Sequence, residues 1–110
     1  MKDINSVVLI GRLVQNAKTA KVNNGNQIRF TLAVNSSKKE QNKWIDVANF
    51  FNVDYFSTND NIVNYLLKGA RISVKGELEQ KRWTDKRTNE PKQLVGVKAK
   101  EIEFLELKSR

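Results

Sequence analysis

Trp83 stands in the run Lys81-Arg82-Trp83-Thr84-Asp85-Lys86-Arg87, where an alternating strand pattern gives way to a polar stretch. An indole among four cations suits a ligand that is flat and anionic at once, and a nucleobase on its phosphate meets both demands. The implied chemistry is noncovalent: stacking on the ring and neutralisation by the flanking side chains. Covalent alternatives are few, because the chain has no Cys and no His, which removes disulfides, thiolate chemistry, zinc fingers and imidazole catalysis. Carboxylates, Lys and Tyr remain. Asp46 and Asp54 share a strand face and are the candidates for a metal-dependent nuclease, yet eight residues at ~3.3 Å each separate them by ~26 Å, too far to hold one ion. No enzymatic activity, metal or cofactor is expected.

A second set of rings lies upstream. Over residues 44–56 the odd positions Ile45, Val47, Phe51, Val53 and Tyr55 read as a core face interrupted by Asn49, while Trp44, Phe50 and Phe56 stand on the even, polar face. Their spacing of six residues places neighbours ~20 Å apart along a strand, so they form separate stacking platforms rather than one cluster. A bulge in this strand would slip the parity and exchange Phe50 with Phe51.

Charge agrees with an anionic partner: 20 Lys and Arg oppose 12 acids, for a formal net charge of +8. The bland alternative is a solubilising surface. A length of 110 residues fits one domain spanning the whole chain. No stretch approaches the ~20 apolar residues of a membrane span, and the start lacks a signal peptide's apolar segment, so no membrane association and a cytoplasmic location are expected.

The elements that must position these residues are mostly strands. Residues 7–13 are an apolar run, read as buried on both faces at first and bent at Gly11 where another chain approaches closely. Residues 17–22 continue it before the turn signal Asn23-Asn24-Gly25-Asn26. Residues 27–35 alternate, with Ile28, Phe30, Leu32 and Val34 inward, and 36–43 read as a solvated loop. Residues 57–69 carry a helix, with Ser57, Thr58 or Asn59 as cap, Ile62, Val63, Leu66 and Leu67 as packing stripe and Gly69 as terminator. Over 71–79, Ile72, Val74 and Leu78 face inward, and residues 83–91 form a long basic hairpin. Val95, Val97 and Ala99 then share one parity and Ile102 and Phe104 the other, which predicts a bulge near Lys100-Glu101. The sum is an all-β, five-stranded oligonucleotide-binding (OB) barrel with one short helix between strands three and four.

The segments Asn5-Ser6-Val7-Val8-Leu9-Ile10-Gly11-Arg12-Leu13, Phe30-Thr31-Leu32-Ala33-Val34-Asn35, Tyr65-Leu66-Leu67-Lys68-Gly69, Gly76-Glu77-Leu78 and Lys81-Arg82-Trp83-Thr84-Asp85 occur in this order. In that order and spacing the chain resembles bacterial single-stranded-DNA-binding proteins from about Asn5 to Leu105. The resemblance implies an OB-fold that wraps single-stranded DNA in replication, recombination and repair, as a homotetramer rather than a dimer. It makes Trp83, Phe50 and Phe56 base-stacking residues and Arg82, Lys68 and Arg12 phosphate contacts, to which the local run adds Lys81, Lys86 and Arg87. RNA is a second candidate ligand, since stacking does not read the sugar. A primosomal replication-type accessory protein of the same fold and a protein-interaction OB module are the rival readings.

Two departures stand out. Lys38 occupies the position of a further family aromatic, and Trp44, across the same hairpin, is the candidate substitute. The chain ends Glu106-Leu107-Lys108-Ser109-Arg110, without the family's glycine-rich extension and acidic tip, which puts tail-mediated recruitment of repair proteins in doubt.

Overall fold

Segments in which apolar and polar residues alternate form strands whose apolar faces must close on one another. The computed structural model describes residues 2–108. It contains β1 (Val7–Leu13), β2 (Lys18–Val22), β3 (Gly25–Glu40), β4 (Lys43–Ser57), a 3-10 turn (Asp60–Tyr65), β5 (Arg71–Thr84) and β6 (Pro91–Glu106). The sheet order is β1-β5-β6-β4-β3-β2, and β1 also pairs with β3. Five strands therefore form a closed ring, with β2 attached outside it along β3. This is the expected OB-type barrel.

The interior is filled by Leu13, Ile28, Phe30, Leu32, Val53, Ile72, Val74 and Val97, all but wholly buried, with Leu66 plugging one end. Gly11 bends β1 against β3: a methyl group there would collide with the Ala33 carbonyl, so the close approach that shuts the ring needs a residue without Cβ. Gly76 plays the same part opposite the Lys98 carbonyl. Beside it the β5–β6 register shifts, Lys75 pairing with Glu101 and Gly76 with Ala99, which leaves Lys100 as the extra residue of the bulge expected there.

Several expectations are corrected. The helix is a six-residue 3-10 turn, capped by Asn59, whose side chain accepts from the Asn61 amide at 2.9 Å. Asn61, Ile62, Val63, Asn64 and Tyr65 are all weak helix formers, and the turn ends where Leu66 is drawn into the core. Gly69 does take the left-handed conformation, with φ 89°. Residues 36–43 are not a loop: β3 and β4 continue to a two-residue turn at Gln41 and Asn42, both at positive φ. The arm projects past the barrel, so Ile45 is exposed despite its inward parity. Leu78 and Val95 are exposed for the same reason on the β5–β6 hairpin, and β1 is buried on one face only, with Val8 and Ile10 open to solvent.

Gly11→Ala is expected to lower the unfolding free energy by about 1–3 kcal/mol through overpacking at the ring closure, measured by urea titration. An unchanged midpoint would mean that β1 and β3 close without that contact.

Candidate nucleic-acid interface

Only three residue pairs join β4 to β6: Val53 with Val97, Asp54 with Lys98 and Tyr55 with Ala99. Beyond Val97 the β5–β6 hairpin departs from the β3–β4 hairpin, because β6 goes on pairing with β5 up to Pro91 while its pairing with β4 has ended. The gap is a groove of about 710 Å³ lined by Arg29, Thr31, Asn52 and Asp54 on one side, Lys81, Arg82, Trp83 and Leu94 on the other, and Lys18 and Asn16 near β2. Four of its lining side chains are cationic and one is anionic.

The four rings singled out by sequence are open to solvent: Trp44 is 71 % exposed, Phe50 64 %, Phe56 52 % and Trp83 50 %. β4 runs without a bulge, pairing with β3 from Asn26↔Ser57 to Glu40↔Lys43 in one register. Trp44, Phe50, Asn52, Asp54 and Phe56 consequently share its outward face, while Val53 is buried and Phe51 and Tyr55 pack against the core. Asn49, the break in the inward row, donates to Ser36 Oγ at 3.1 Å where the arm leaves the barrel. Phe56 borders a second hollow with Gln27, Asp54, Lys98 and Lys100. Trp83 faces the main groove and also lines a shallow site with Pro91, Lys92 and Gln93.

Trp44 does not take the place left by Lys38. Lys38 pairs with Ile45 and Lys39 with Trp44, so Lys38 and Trp44 lie on opposite faces of the arm. Tyr65 packs edge-on against Phe104 with ring centroids 6.1 Å apart.

The predicted cations divide into three groups. Arg82, Lys86 and Arg87 are exposed on the β5–β6 hairpin and its turn, where the Arg87 amide donates to Asp85 Oδ1 at 2.9 Å and the Arg82 side chain to Gln80 Oε1 at 2.7 Å. Lys68 is exposed, its backbone amide donating at 2.8 Å to Asn16, a groove residue. Arg12 and Lys81 are already engaged. Arg12 donates to the Gly69 carbonyl at 2.9 Å and to Glu106 at 2.7 Å, a clamp across the strand ends. Lys81 is bound to Asp54, which also pairs with Arg29 at 3.2 Å. Burial lowers the Lys81 pKa from its ordinary value, and the Arg29 charge lowers it further.

Sequence reading missed Arg29, Lys18 and Asp54 as groove residues. Arg29 and Asp54 meet because the turn at Gln41 and Asn42 fixes their pairing. No Gly or Pro marks that turn, so the register was not visible beforehand.

A closed five-stranded barrel with exposed rings on its surface and a groove lined by cations is the architecture of an oligonucleotide-binding protein. Residues 4–105 match the single-strand binding protein family, and the chain belongs to that family. It is 33 % identical over 107 residues to the single-stranded DNA-binding protein of Treponema pallidum, covering 96 % of this chain and 60 % of that one. Against the Borreliella burgdorferi protein of the same name the identity is 34 %, over 88 % of this chain and 66 % of the relative. Single-stranded DNA-binding protein 1 of Clostridium acetobutylicum is 32 % identical, and the match spans 96 % of both chains. The chain thus spans about two thirds or less of the first two relatives and nearly all of the third. Among solved structures, the Plasmodium falciparum SSB in complex with ssDNA has the same fold, with a TM-score of 0.85 at 23 % identity over 96 % of this chain and 98 % of that one.

The Arg12 clamp gives a pH prediction. The hydrogen bond and charge of Arg12 hold the Glu106 carboxyl below its usual 4.5. A carboxyl with a depressed folded-state pKa stabilises above its unfolded pKa, and that contribution disappears as pH falls through the folded value. Glu106→Gln is therefore expected to lose less melting temperature than wild type on acidification from about pH 5 to about pH 3. Parallel acid limbs would remove the clamp from the stability of the fold.

Proposed function

We propose that the chain binds single-stranded DNA with little sequence preference and protects it during replication, recombination and repair. The observation that carries this reading is the outward row of β4, where Phe50 and Phe56 stand open on either side of Asn52 and Asp54, which line a cationic groove together with Trp83. Unpaired bases stack on such rings without being read, while Arg82, Lys86, Arg87 and Lys68 neutralise phosphates and release counterions. Duplex DNA hides its base faces, so preference for single strands needs no further device. The family and the relatives' names support the same ligand.

In this reading the protein is a binder in the cytoplasm rather than an enzyme, which the names of its family and relatives support, since they describe binding. Among the described residues no helix is long and apolar enough to cross a membrane. It works as one OB domain and as a homo-oligomer, with a tetramer favoured over a dimer. Val8 and Ile10 leave an apolar outer face on β1, and β1 meets β3 only at Arg12 and Leu13, which supports a second copy at that edge.

Trp83→Ala is expected to weaken oligothymidylate binding by about 1–3 kcal/mol, read from fluorescence anisotropy of a labelled strand. A change well below that range would deny the ring a stacking role. Lys86→Ala should reduce the slope of log affinity against log salt by about 0.7, and an unaltered slope would take Lys86 out of the phosphate contacts.

A further inference from the structure

Asp54 is out of character with its surroundings. It lies on the outward row of β4 between the stacking positions Phe50 and Phe56, borders both hollows along that row, and is the one acid among the cations of the main groove. Its side chain is only 15 % exposed, held by Lys81 on one side and by Arg29 at 3.2 Å on the other. Lys98 is its neighbour across the β4–β6 pairing and Lys18 is paired with Arg29 across β2–β3, so the carboxylate sits within a cationic row. The Arg29 side chain is 65 % exposed, so its pair with the carboxylate contributes little to folding. A carboxylate on a polyanion's path also repels the ligand. Its position is explained if it acts on the cations themselves.

We propose that Asp54 is a built-in competitor for the strand's phosphates, an internal oxyanion that occupies Arg29 and Lys81 in the free protein and yields them when a phosphate arrives. This inference rests on the single-strand-binding reading and adds to it a residue that sets affinity and salt response. A carboxylate and a phosphate offer the same acceptors to guanidinium and ammonium groups, so either can satisfy the pair. A phosphate that displaces Asp54 from Arg29 and Lys81 frees a carboxylate that takes up cations in turn, so fewer of the strand's condensed counterions are released in net terms, and binding at the centre of the track is correspondingly weaker and less salt-sensitive. The lowered Lys81 pKa, caused first by burial and then by the Arg29 charge, agrees with an ammonium that an added anion stabilises.

The test is a tryptophan-fluorescence titration with oligothymidylate across a salt series, on wild type, Asp54→Asn and Glu103→Gln. Glu103 pairs with Ser73 on β5–β6 outside the groove, so its substitution matches the change in net charge. Asp54→Asn is expected to bind about three- to tenfold more tightly at low salt, with a slope steeper by about 0.7 to 1.4 for one or two liberated cations, while Glu103→Gln follows wild type closely. Asp54→Ser, which removes the charge with a smaller side chain, should reproduce both changes and guards against a folding defect in the amide variant. Equal or weaker binding by both Asp54 variants, or an equal gain in Glu103→Gln, would overturn the inference while wild-type binding upholds the function. Absence of wild-type binding would overturn the function and the inference with it.

Discussion

The unbroken antiparallel ladder between β3 and β4 governs which side chains stand on the outward face of the barrel. Each residue of a strand alternates sides, so a single register holds Val53 in the core and Phe50 and Phe56 in solvent along the same segment. A slip of one residue would bury Phe50 and expel Phe51. Register is enforced from within: Ile28, Phe30 and Leu32 are buried opposite Tyr55, Val53 and Phe51, and moving any one outward forfeits about 1.5–3 kcal/mol of apolar burial. The exposed rings are thus maintained by their buried neighbours. They keep more than half of their surface in water after folding, which is why their exposure is informative.

Against this rigid hairpin stands a looser relation between β4 and β6. Three parallel pairs close the ring, and the β5–β6 hairpin then swings away carrying Arg82 and Trp83. The groove is the geometric consequence of ending that pairing early. Closure elsewhere depends on two glycines that admit backbone carbonyls, and on the bulge at Lys100 that re-aims the end of β6. Shape and charge are coupled at Asp54, which joins the hairpins through Arg29 and Lys81.

Cations that look equivalent in a sequence become unequal once their partners are known. Lys86 and Arg87 stand on an exposed turn, whereas Arg12 is committed to Glu106 and the Gly69 carbonyl. Trp44 and Lys38, close in the hairpin, face apart because they belong to successive pairs of the ladder, Lys39↔Trp44 and Lys38↔Ile45. The bulge at Lys100 was legible because apolar parity changes there. The 3-10 turn was not, since four apolar residues at helical spacing describe a packing stripe without fixing how tightly the backbone winds.

Composition and alternation alone specified an all-β barrel, excluded Cys and His chemistry and marked Trp83, Phe50 and Phe56 as surface rings, because side-chain parity is a local property of an extended chain. Tertiary structure decided which strands meet, where the groove opens, and that Asp54 holds two of the cations. Those relations link residues through turns and pairings such as Gln41-Asn42 and Val53↔Val97, and the energy that selects them comes from the whole closed core rather than from any segment.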